Sequence, residues 1–255
     1  MTPADVTLPE LRAALADRLS EQAADWLART ETAAADCATA LHAAFPAVGR
    51  RLGRGPLFPD TASGDARDLH AWTVDDAGRA VLLAARPARA EDLTTLYRAG
   101  DAAERRGVLR ALDVVELDGP GEDAGAELVA DALRTNDLRL VAAALGPFGL
   151  AALDDDALAH AVLKCVFSGV PLTGIAGLAT RATPRLARML AAYAHERVAA
   201  GRAVPAEIWP LVDAHPPAGE LDALTAELHA GVEARRDAAR GALRDRRRAH
   251  VPEET

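Results

Sequence analysis

The sequence is poor in several residue types, and each shortage removes a class of answers. Aromatic residues make up 4% of the 255 positions, and isoleucine occurs only at positions 175 and 208. No long stretch alternates polar and apolar residues. β-Rich architectures draw on such residues and such alternation, so the shortage argues against them. The two cysteines, Cys37 and Cys165, are too few for a disulfide framework. Both sit in apolar helical contexts and read as buried thiols in a reducing compartment. No segment reaches the roughly 18 apolar residues of a membrane span. The stretch from Met1 to Glu10 lacks the apolar run of a signal peptide. A soluble, cytoplasmic protein is expected. The Gly-rich phosphate loop, G-x-S-x-G and H-E-x-x-H are missing, and no Cys or His pair has zinc spacing. No metal and no cofactor is therefore expected. The formal net charge of -9 is the wrong sign for a general nucleic-acid binder.

What is abundant is alanine and leucine, both strong helix formers. The predicted fold class is all-α, with helix far above the one-third share of ordinary domains. The whole chain, 1–255, is expected to form a single helical domain. Thr7 with Glu10 has capping-box spacing and starts a first helix reaching about Leu27. A second helix follows Thr30 and ends before Pro46. Glycine and proline make residues 49–70 a loop or lid. Thr73 starts a short helix, with an edge strand over 79–85 as the weaker alternative. Helices follow over 91–98 and 102–117, then a loop over 118–125. From Asp101 the breaks at Asp137, Pro171 and Pro205 fall roughly every 35 residues, as in an irregular α-solenoid-like array of antiparallel helix pairs. A last helix covers about 219–250. Its arginine-rich end reads as a solvated face, because Glu233, Asp237 and Asp245 are interleaved.

Three groups of polar residues stand out. Of the 29 basic residues only Lys164 is a lysine, and Asn136 is the only asparagine. Lys164 shares a stripe with Asp156 and His160 on a helix that is otherwise apolar nearly all round, the pattern of a buried helix. A lysine at such depth must pair, snorkel or lose its charge. It then serves either as a base or anion ligand or as half of a structural ion pair. Arg134, Asn136 and Asp137 mark a helix junction, where capping and a cleft-facing role both fit. His195 and Arg197 lie near the end of the helix begun by Thr183 and Pro184, where basic groups also complement the helix terminus.

Several segments together resemble one family. They are residues 132–137 (Ala-Leu-Arg-Thr-Asn-Asp), 161–172 (Ala-Val-Leu-Lys-Cys-Val-Phe-Ser-Gly-Val-Pro-Leu), 174–181 (Gly-Ile-Ala-Gly-Leu-Ala-Thr-Arg) and 188–202, with Trp72-Thr73 and the Tyr97 to Arg105 stretch. In order and spacing they are similar to the EboA family over about 70–210, the family-like core. The resemblance implies a bacterial protein from a cluster that makes and moves a secondary metabolite. Its neighbours there resemble a prenyltransferase, a sugar-phosphate isomerase, a metal-dependent hydrolase and a cyclase. It implies metabolite traffic and no established reaction. Family members commonly place an acidic residue after Gly177-Leu178, where this chain has Ala179. The candidate ligand-binding set is Arg134, Asn136, Asp137, His160, Lys164, Arg181, His195 and Arg197. The expected partner is a small-molecule metabolite or a pathway enzyme. A non-catalytic binding or scaffold protein, an enzyme using a buried Lys164/His160 site and a pure protein-interaction adaptor stay open.

Overall fold

The computed structural model describes residues 6–58 and 69–249. The fold is all-helical. Among the described residues extended backbone pairs only at two isolated bridges, Pro56 with Thr73 and Ala88 with Leu117. No helix there is long and apolar enough to cross a membrane. Contacts divide the chain into two compact units, Met1–Leu153 with Gly174–Ala176, and Asp154–Thr173 with Gly177–Thr255.

The first unit carries α1 (Leu8–Arg18), α2 (Glu21–Asp36), α3 (Ala38–Ala44), α4 (Val48–Arg51), α5 (Val74–Leu83), α6 (Ala90–Ala99), α7 (Ala102–Ala111), α8 (Gly119–Arg134), α9 (Leu138–Ala143) and α10 (Pro147–Ala152). Its centre is α5, every residue of which is buried. It packs on α7, α1 and α2, while α6 packs on α8. Burying α5 takes three charges out of water, which is tolerated only when each is paired. Arg79 Nη1 donates to Asp75 Oδ2 at 2.7 Å, and Arg106 Nε donates to Asp76 Oδ1 at 3.1 Å. Thr73 caps the helix by accepting the Asp76 N–H. The Arg79 guanidinium also lies 5.5 Å from the centre of the Phe45 ring, an attraction that desolvation strengthens.

The second unit carries α11 (Asp155–Ser168), α12 (Pro184–Ala199), α13 (Trp209–Ala214), α14 (Ala218–Ala226) and α15 (Glu233–Ala249). Here α12 is central and meets α11, α13, α14 and α15. Leu190, Val198, Ile208 and Trp209 are fully buried around it. The C-terminus of α11 is closed by Gly169 in the left-handed region, φ 80°, with the N–H groups of Gly169 and Val170 both donating to the Cys165 carbonyl.

Several sequence expectations change. The first helix stops at Arg18, because Ser20 takes an extended conformation and its hydroxyl accepts the Ala23 N–H to cap α2. Thr30, expected as a cap, lies inside α2 and bonds back to the Trp26 carbonyl. The third change is at 118–125, where Asp118 caps a helix that begins at Gly119 and no loop forms. Asp118 accepts the Gly121 N–H at 2.7 Å, and Pro120 sits harmlessly in the first turn of α8. Gly125 is there for contact: a Cβ would sit 2.7 Å from Phe148 Cζ. The single helix over 219–250 is two, separated by a 3-10 turn over 227–229 and a bend before α15. Cys37 is exposed, at the junction of α2 and α3. The intervals between the evenly spaced breaks hold two α-helices, then three, then one with a 3-10 turn. Much of the expected lid, 59–68, lies outside the described residues. Its flanks are tied together by Leu57 N–H donating to the Trp72 carbonyl at 2.9 Å.

Candidate functional site

Among the described residues, two clefts of the first unit stand out. The larger, about 750 Å³, opens between the start of α1, the loop after α5, the loop after α7 and the start of α10. Its walls are mostly apolar, with Val6, Leu8, Pro87, Val114 and Pro147 among them. The loops after α5 and α7 are held side by side by the Ala88–Leu117 bridge, where Ala88 N–H donates to the Glu116 carbonyl at 3.3 Å. Two charged side chains in the wall have fixed positions. Arg86 Nη2 donates to Asp92 Oδ2, and Asp92 Oδ1 lies 2.8 Å from His42 Nε2. Asp92 is buried, so the carboxylate is clamped from both sides. Arg86 Nε is buried with no hydrogen-bond partner. Asp113 Oδ1 accepts the Phe148 N–H at 3.0 Å and thereby caps α10. Burial pushes the Asp113 carboxyl up to about 6, against the pull of the Phe148 N–H and the Arg110 charge. Gly146 is required here: a Cβ would stand 2.1 Å from Asp113 Oδ2.

The smaller cleft, about 330 Å³, lies along α6 and α8. The Tyr97 hydroxyl donates to Asp131 Oδ2 at 3.1 Å. Arg134 Nη2 donates to Asp131 Oδ1 at 3.2 Å. The Arg105 guanidinium lies 5.5 Å from the Tyr97 ring centre, with its Nε bonded to the Gly100 carbonyl. Burial, then the Asp131 charge, pushes the Tyr97 phenol up to about 12, so it stays a donor.

Among the sequence-predicted residues, Arg134 lines the smaller of these clefts. Asn136 is exposed beside it. Asp137 caps α9 and clasps Arg139 through two bonds, which hold its carboxyl below the usual range. The other five candidates belong to the second unit. His160 is exposed, contrary to the buried position expected, and its Nδ1 lies 2.7 Å from the Asp156 carbonyl one turn back. Leu158, Val162 and Cys165 of α11 are buried, while His160 and Phe167 face solvent. Lys164 is half-buried on the same helix. Asp156 pairs with Arg185, and Asp155 with Arg181, so the acidic first turn of α11 binds the approach to α12. His195 Nε2 lies 3.4 Å from Glu227 Oε1. Glu227, held below its usual range chiefly by Arg235, joins the end of α12 to α15. Arg197 Nε donates to the Ala203 carbonyl and closes the turn after α12. Burial pushes the Cys165 thiol up to about 12, which removes it as a nucleophile. Sequence reasoning missed Asp113, Arg86 and Asp131. Asp113 and Asp131 act on residues 35 and 34 positions away, and no local pattern carries such a pairing.

Among the described residues no group of three or more His, Cys, Asp or Glu is placed to hold a metal ion. A family model described as metabolite traffic protein EboA matches residues 7–213. No curated protein and no solved structure matches the chain.

Proposed function

Because the chain belongs to the EboA family, we propose that it binds a small metabolite without converting it and passes it on to pathway enzymes in the cytoplasm. The observation that carries this reading is the 750 Å³ pocket of the first unit. Its size falls within the roughly 300–1,000 Å³ of small-molecule sites, and its apolar walls with a few placed polar groups fit the same description. Arg86 and Asp113 are both held by protein partners. Groups fixed in advance orient a ligand at little entropic cost. The reading keeps the irregular array of antiparallel helix pairs expected from the sequence, and its support is that helix packs on helix within each unit. It keeps Arg134 from the sequence-derived set, because Arg134 lines a cleft of the same unit. The enzyme reading through His160 and Lys164 is weaker, since His160 is exposed and tied to its own helix backbone.

The test is to incubate the purified protein with extract from a strain lacking only this gene, and to follow metabolites by mass spectrometry. Retention of one compound at about one per chain, lost on Arg86→Gln in a folded variant, is the expected result. Turnover of a precursor by substoichiometric protein would overturn the proposal.

A further inference from the structure

We propose that the cleft along α6 and α8 is a separate anion site, built to take a phosphate group presented by a phosphomonoester or as free phosphate. Three guanidinium groups, Arg98, Arg105 and Arg134, face it against two carboxylates, Glu127 and Asp131. Both Asp131 oxygens are already engaged: one accepts from Tyr97 and the other from Arg134. Arg98 is exposed and makes no ion pair among the described residues.

A structural role accounts for part of this arrangement and fails for the rest. Arg98 and Arg134 sit in the last turns of their helices, where a cation complements the helix terminus. Arg105 sits in the first turn of α7, where the same dipole disfavours a cation and favours an anion. It is nevertheless held there, its Cζ over the Tyr97 ring at 5.5 Å from the centre and its Nε on the Gly100 carbonyl. That grip uses one donor and leaves the two terminal nitrogens of a rigid fork, the geometry that suits phosphate oxygens. Tyr97 is buried, so packing holds its ring beside Arg105.

The experiment is titration of the full chain with inorganic phosphate at low ionic strength, where surface charge is least screened, read by calorimetry and by amide NMR shifts in α6, α7 and α8. One saturable site is expected. Arg98→Gln, which removes no described contact, should weaken it about tenfold, the effect of losing one charge-assisted bond. Asp131→Asn keeps an acceptor for Tyr97 and removes a negative charge, so it should tighten binding severalfold. Glycerol phosphate binding more tightly than phosphate would identify an ester as the ligand, and equal binding would identify the free ion. Either supports the site. Absence of saturation, equal binding of acetate, no effect of Arg98→Gln, or weakening by Asp131→Asn would each overturn it. Far-UV circular dichroism of both variants checks that the helices remain.

Discussion

The Asp113 carboxyl titrates near 6 in the fold and near 3.8 in the absence of burial. Between those values the folded chain holds a proton that the unfolded chain has released. Its contribution is complete below about pH 4 and is lost as pH rises through 6, by at most about 3 kcal/mol. Asp113→Asn keeps an acceptor for the Phe148 N–H and removes the titration. The stability difference between variant and parent, from urea unfolding, should therefore grow in the variant's favour from pH 4 to pH 7. A difference that stays constant would place the titration elsewhere. The buried pair on α5 behaves differently. Asp75 and Arg79 are 2% and 1% exposed, so Asp75→Ala strands a buried charge and should cost about 3–5 kcal/mol. The exposed Arg134–Asp131 pair should contribute under about 1 kcal/mol to stability. Urea midpoints of Asp75→Ala and Arg134→Ala should separate accordingly.

At the level of the helix, starts were legible where one side chain does the capping. Thr7, Thr73, Asp101, Asp137 and Thr183 each precede a helix as their types suggest. The segment from Asp118 was misread because Gly-Pro-Gly signals a turn in isolation. In the fold the Asp118 carboxylate supplies the cap, and packing against Phe148 demands the absence of a side chain at Gly125. Local propensity lost to a tertiary contact. Asp118→Ala should then cost about 1 kcal/mol of stability, whereas a true loop residue would tolerate the change. Thermal unfolding of the variant distinguishes the two. The arginines of α15 follow the expected solvated pattern only in part, because Arg235 and Arg246 are half-buried and reach acids on other elements. Arg235, Arg240 and Arg246 pair with Glu227, Asp237 and Asp213.

On the scale of the molecule, composition revealed the all-helical class and the segment order revealed the family. Of the residues singled out in the sequence, Arg134 lines a cleft of the first unit. His160 and Lys164 drew notice as polar residues on an apolar helix, but periodicity cannot tell which side of a helix a neighbour leaves open. Asp113 and Arg86 had no signature at all, since what makes them notable is the partners the fold brings to them, Phe148 and Asp92. Burial also ranks the helices for local opening. The amides of α5 and α12, each at the centre of its unit, should exchange hydrogen most slowly, and those of α1 and α15 faster. Exchange followed by mass spectrometry tests the order, and fast exchange across Val74–Leu83 would contradict it.

The two cysteines differ in one further way. Backbone N–H groups of Ala40 and Thr39 lower the Cys37 thiol at the exposed α2–α3 junction, while Cys165 is sealed and shifted far upward. A maleimide reagent at neutral pH should accordingly attach once to each native chain and twice to each denatured one. The stoichiometry of alkylation thus becomes an internal count of open molecules, one that needs no engineered tag. A dye at Cys37 leaves the interior untouched.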